Sequence, residues 1–211
     1  MSDPYSTFVQ SLSKNVQPKG PAAAYTAVHV IKALIVIESS KSVGRVMLSR
    51  VLGIGEGSVR TIIKRLQQQS LISIDSIGGC ALTSIGREVL GKVKKGMVSS
   101  CKVDLSGMGV GYPSYAIQIS LDISAHSVLK LRDVAIKWGA EGAIVFNFSG
   151  GRIVVPSITD DLSQTSPSMH YELMNRFRLQ EGDHVIATFA HDADSAEMSA
   201  LAVFLFLKGI Q

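Results

Sequence analysis

Apolar residues in the first half of the chain fall at helical spacing in four stretches, with one short alternating stretch between the third and the fourth. Over residues 22–39, Tyr25, Val28, Ile31, Leu34, Ile35 and Ile37 recur near helical spacing behind Pro21, a residue suited to a first helical turn. Ser39-Ser40-Lys41-Ser42 breaks that pattern. Residues 43–52 predict a short second helix with Val43, Met47, Leu48 and Val51 turned inward, closed by Gly53, where only glycine takes left-handed backbone at little cost. A third helix over 56–69 carries Val59, Ile62, Ile63 and Leu66 at i, i+3, i+4 and i+7, which leaves Arg60, Thr61, Lys64 and Gln68 on its other face. Residues 71–76 roughly alternate, Gly78-Gly79 supplies a hairpin turn, and residues 80–82 return as a second strand. Thr83 then caps a fourth helix that runs to about residue 95.

Residues 1–20 are polar and read as an arm, and residues 96–114, with Gly96, Gly107, Gly109, Gly111 and Pro113, read as a linker. A phosphate-binding loop needs a following helix, whereas a strand follows this Gly-x-Gly-x-Gly. Beyond it the pattern predicts strand 115–121, helix 125–138, strand 143–148, strand 152–155 after the turn Ser149-Gly150-Gly151, helix 168–177, strand 184–190 and helix 193–208. The order βαββαβα predicts an α+β sandwich with helices on one face of an antiparallel or mixed sheet. The last helix is apolar nearly all round and has to be covered on several sides, either between sheet and first domain or in a subunit interface. A homodimer is the expectation. The domains expected are therefore 1–20, 21–100 and 101–211.

Charge separates the two halves: residues 1–100 hold 13 Lys and Arg against 5 Asp and Glu, whereas 101–211 hold 8 against 12. A local basic excess is the expected footprint of a phosphate-binding surface. Cys80 and Cys101 lack the spacing of a zinc site or a disulfide framework. His170, His184 and His191 lie in no metal-binding pattern, and Asp192-Ala193-Asp194 opens the last helix, where a carboxylate is expected as a cap. No cofactor and no metal are expected, and no nucleophile paired with a base marks an enzyme. Two apolar stretches, 28–37 and 198–207, fall short of the roughly 20 residues of a membrane span. With no signal-peptide pattern at Met1-Ser2-Asp3-Pro4, a cytoplasmic protein without membrane contact is expected.

The spacing of Ser49, Gly53, Ile54, Val59 and Ile62 is what two helices need to pack at a steep angle across a short turn. Followed by a hairpin, this is the pattern of a winged helix-turn-helix. The run Leu52-Gly53-Ile54-Gly55-x-Gly57-Ser58-Val59-Arg60 resembles the turn and recognition-helix start of bacterial and archaeal winged-helix regulators, and Leu82-Thr83-x-x-Gly86-Arg87-x-x-Leu90 resembles their wing-to-helix junction. At Gly55 those families often place a Ser or Thr cap. The resemblance covers 22–95 and implies binding of double-stranded DNA. With the third helix in the major groove, Glu56, Ser58, Arg60, Thr61 and Lys64 are free to reach bases, Arg60 foremost because a guanidinium binds guanine O6 and N7 bidentately. Lys41, Arg45, Arg50, Arg65 and Arg87 would hold phosphates. The hairpin tip, Asp75-Ser76-Ile77-Gly78-Gly79, has no basic residue and is expected to add little.

In the second half, Leu131-Arg132-Asp133-x-Ala135-Ile136-Lys137-x-Gly139-Ala140-x-Gly142-Ala143 with Arg152-Ile153-Val154-Val155-Pro156 resembles the C-terminal domain of unknown function found behind winged helices in archaeal regulators. That resemblance, over 103–211, implies a sensing or dimerising domain and names no ligand. Arg132 and Asp133 are the candidate contacts for a small-molecule effector. Two further readings compete with a regulator: a protein–protein adaptor that docks through the winged helix, and an enzyme with its catalytic site in 103–211.

Overall fold

The computed structural model describes residues 3–13, 25–40 and 42–210. The chain divides into two compact units, Met1–Lys95 with Lys208–Gln211, and Gly96–Leu207.

The first unit opens on α1 (Pro4–Ser13), where the sequence predicted only a polar arm. Phe8 and Leu12, one helical turn apart, are buried and explain why this segment folds. The predicted start of the next helix, with Pro21 and Ala22, lies outside the described residues; α2 spans Ala27–Ser39 and buries Ile31, Leu34 and Ile37. After it come α3 (Arg45–Leu52), α4 (Glu56–Gln68), the antiparallel pair β1 (Ile72–Ile74) and β2 (Cys80–Leu82), and α5 (Ser84–Lys94). Their core is built from Ile31, Leu34, Leu48, Val59, Ile62, Leu66 and Leu90.

Two details depart from the predicted packing. Val43 precedes α3 and bridges Cys80 as a single extended residue, so the helix starts two residues later than expected. Met47, predicted inward, is 56% exposed, while Leu48 and Leu52, one turn apart, take the buried positions.

The second unit contains a five-stranded sheet in the order β3-β4-β7-β5-β6, with every pairing antiparallel. Its elements run β3 (Met97–Val103), β4 (Ser114–Ile119), α6 (Val128–Lys137), β5 (Gly142–Ser149), β6 (Arg152–Val154), α7 (Leu162–Thr165), α8 (Pro167–Arg176), β7 (His184–Phe189) and α9 (Ala193–Leu207). The α+β class holds, with one strand more than predicted: β3 occupies the first part of the segment read as a linker. Helices also cover both faces of the sheet rather than one. Leu162 of α7 and Met169 and Leu173 of α8 share a core with Ala116, Phe146, Val185 and Ala187. On the opposite face the Thr188 hydroxyl donates to the Ala196 carbonyl of α9 at 2.6 Å, and Ser199 of α9 donates to the Trp138 carbonyl that closes α6.

Helix α9 buries Ala196 and every residue from Ser199 to Leu205 within one chain. Its apolar circumference is thus satisfied without a second subunit, and the sequence argument that led from this helix to a homodimer loses its premise.

Candidate nucleic-acid interface

Helices α3 and α4 meet across a turn whose chemistry is local. Gly53 takes φ +64° and its N–H caps the Arg50 carbonyl, ending α3 in left-handed backbone. The Ser49 hydroxyl, small enough to let the helices approach, donates to the Ile54 carbonyl at 2.6 Å. Gly55 stands at the N-cap of α4 in extended backbone and supplies no side-chain hydrogen bond. Two turns of α4 are then pinned by Val59, Ile62 and Leu66, each no more than 1% exposed.

Pinning that stripe turns the opposite face of α4 outward, where Gly57, Arg60, Thr61, Lys64 and Gln68 are all exposed. Successive members of this set lie three or four residues apart or next to one another, so they form one strip along the helix. Among the described residues, Arg60 and Lys64 have neither a hydrogen bond nor an ion pair, and the same is true of Arg50 on α3. Thr61 donates to the Gly57 carbonyl one turn back at 3.1 Å, and Ser58 is half-buried.

The remaining predicted contacts are placed differently. Arg45 Nε lies 2.9 Å from Glu56 Oε2, an exposed ion pair that ties the first residue of α3 to the first of α4. Two predicted contacts are therefore spent partly on each other. Arg65 is half-buried with its guanidinium 5.5 Å from the centre of the Tyr25 ring, on the inward flank of α4 rather than on the exposed strip. Arg87 donates to the Leu82 carbonyl at 3.0 Å, bracing the end of β2 against α5. Lys41 lies outside the described residues.

The wing-to-helix junction shows why its motif has these residues. Thr83 accepts the Gly86 N–H at 2.9 Å and donates to the Ser70 carbonyl, so one hydroxyl both caps α5 and holds it to the end of α4. A methyl group at Gly86 would collide with the Leu71 carbonyl. At the hairpin tip, the N–H groups of Gly79 and Ile77 and the Ser42 hydroxyl hold the Asp75 carboxyl below the usual carboxylate range.

In the second unit, Arg132 and Asp133 are adjacent and exposed on α6, away from the buried Leu131 and Ala135, and have no hydrogen-bond or ion-pair partner among the described residues. Asp192 accepts both the N–H and the hydroxyl of Ser195 at the start of α9, the arrangement of a helix cap. His191 lies 3.1 Å from Glu141, and His184 hydrogen-bonds Asn147. Among the described residues, no three His, Cys, Asp or Glu side chains are grouped to hold a metal, and no helix is long and apolar enough to cross a membrane.

Comparison with other proteins follows the division into two units. Residues 30–97 match the family described as the CggR N-terminal DNA binding domain, and residues 110–207 match a domain of unknown function, DUF4443. A hypothetical protein from Pyrococcus horikoshii OT3 is similar in structure, with a TM-score of 0.71 at 29% sequence identity, over 88% of this chain and 94% of that one. No curated protein matches the chain.

Sequence reasoning missed the Arg45–Glu56 pair and the part played by Asp75. The first depends on how α3 and α4 cross, which spacing alone does not give. The second had a signal: Asp followed two and four residues later by N–H donors, in a Gly-Gly turn, is the pattern of a side-chain-organised loop.

Proposed function

We propose that this protein is a transcriptional regulator that reads double-stranded DNA through a winged helix-turn-helix, with α4 as the recognition helix and the β1–β2 hairpin as the wing. The observation that carries this reading is the strip Gly57, Arg60, Thr61, Lys64 and Gln68, exposed along a helix whose opposite side is fixed in the core. The match of residues 30–97 to a DNA-binding domain family supports it, as does the basic excess of the first hundred residues. A cation without an intramolecular partner is free to replace the counterions of a phosphate backbone.

Arg60 is the base reader, bidentate to a guanine in the major groove, with Ser58 and Thr61 beside it. Lys64 and Arg50 hold phosphates, joined by Lys41. Arg45 and Glu56 align the two helices, and Glu56 lowers the net positive charge of this face. Arg65 and Arg87 support the fold of the reader. A small-molecule effector, with Arg132 and Asp133 as its contacts, and a second copy of the chain are the partners this reading gives the second unit, to which it assigns no catalysis.

The test is selection from a library of random duplexes by the full-length protein and by Arg60→Ala in parallel. A single enriched motif, lost or relaxed in the variant, is the expected result. Equal motifs from both proteins would remove Arg60 from the base-reading role, and no enrichment with negligible affinity at low salt would overturn the reading in favour of a protein-docking module.

A further inference from the structure

Ile77 is 95% exposed, far more than any other large apolar side chain among the described residues. It stands at the tip of the β1–β2 hairpin, and the turn that presents it is heavily bonded. Asp75 Oδ1 accepts the N–H groups of Ile77 at 2.9 Å and Gly79 at 2.8 Å, while Oδ2 accepts the Ser42 hydroxyl at 3.0 Å. Two backbone bonds between Asp75 and the Gly78-Gly79 pair close the same turn. Ser42 immediately precedes Val43, which bridges Cys80 at the hairpin's return strand, so the tip is anchored to the segment that leads into α3.

A turn this well fixed holds its protruding side chain in one place, which favours binding because little conformational freedom is lost. The side chain stands between Ser76 and Gly78, with no apolar neighbour in the turn to widen it into a patch. A protein-docking site generally needs a contiguous apolar centre. A lone aliphatic branch fits a slot instead, and the minor groove of B-DNA, about 6 Å wide, is such a slot beside the major groove that a recognition helix fills. Apolar wedges in minor grooves gain contact with sugars and base edges without using charge.

We propose that Ile77 is an apolar wedge that the wing lowers into the minor groove of the bound duplex, adding affinity that salt does not screen. This rests on the reading of the first unit as a DNA-binding domain, and it gives a role to a wing tip that lacks any basic residue. Asp75 is then a positioning residue: it fixes the turn and keeps its carboxylate bonded to the tip.

The experiment measures equilibrium affinity of the full-length protein for its selected duplex over a series of salt concentrations, with Ile77→Ala and Ile77→Lys alongside. Ile77→Ala is expected to lose about tenfold in affinity at every salt concentration, the effect of uncovering part of one aliphatic side chain, with an unchanged slope of log affinity against log salt. Ile77→Lys is expected to steepen that slope by about one, because an ammonium there reaches the flanking phosphates. Both variants should melt with the wild type, since so exposed a side chain contributes little to the fold. Wild-type affinity and slope in both variants would overturn the wedge while leaving DNA binding intact, and would point to a protein as the occupant of the tip. A wild-type protein that binds no duplex at low salt would overturn the DNA reading and the wedge with it.

Discussion

The two units use polar side chains in opposite ways. In the first, Arg60, Lys64 and Arg50 point outward from helices anchored by apolar residues, and none of the three has an ion pair or hydrogen bond among the described residues. In the second, Gln118, Asp183, Thr188 and Ser199 lie inside, none more than 5% exposed, and each is hydrogen-bonded. Gln118 donates to Asp183 at 2.6 Å and accepts from Ser99 at 3.0 Å, joining the edge strand β3 to the loop before β7. A buried polar group with every bond made fixes one arrangement of strands, whereas an exposed cation without a partner has its binding capacity unspent. The difference identifies which unit is built to contact a charged polymer and which polar groups serve the architecture.

Asp183→Ala should have the largest effect, because it strips the Gln118 amide and the Gln180 N–H of a buried partner. A loss of about 3 kcal/mol in unfolding free energy is expected in urea titration, with the DNA affinity of the folded protein unchanged. Arg60→Ala should do the reverse: about 2 kcal/mol lost from affinity for the selected motif, measured by fluorescence anisotropy, with stability within about 0.5 kcal/mol of wild type. Thr83→Ala, which removes the cap of α5, should cost about 1 kcal/mol in the same urea titration. Glu56→Gln should sharpen the contrast by releasing Arg45, steepening the salt dependence of DNA binding by up to about one phosphate's worth.

The smallest effect concerns pH. The Ser195 N–H and hydroxyl hold the Asp192 carboxyl below the usual carboxylate range. A carboxyl with a depressed folded-state pKa stabilises the fold fully above its unfolded value, near about 3.9, and loses that contribution as pH falls through the lower folded value. The stability difference between wild type and Asp192→Asn should therefore be level near neutral pH and shrink in acid denaturation below about pH 4.

Much of this arrangement was legible in the chain because burial on one side leaves a period. Val59, Ile62 and Leu66 marked the inner side of α4 and so fixed the outward placement of Arg60, Thr61 and Lys64. Strand β3 was illegible for the complementary reason. It lies at the sheet edge with Val103 as its one fully buried residue, and a bulge between Met97 and Ser99 interrupts the alternation that would announce a strand. The strand order, which brings β7 between β4 and β5, has no local signature at all. In the interface, spacing located the exposed strip but not the partners of Arg45, Arg65 and Arg87, since those are set by the crossing of elements distant in sequence.

The most direct test of the outward strip as a DNA contact is the affinity of the full-length protein for a mixed-sequence duplex between about 50 and 200 mM salt, a range over which phosphate contacts are strongly screened. Affinity falling with a log–log slope of about −3, flattening by about one in Lys64→Ala, is the expected result. A flat dependence, or no measurable binding at the lowest salt, would contradict it.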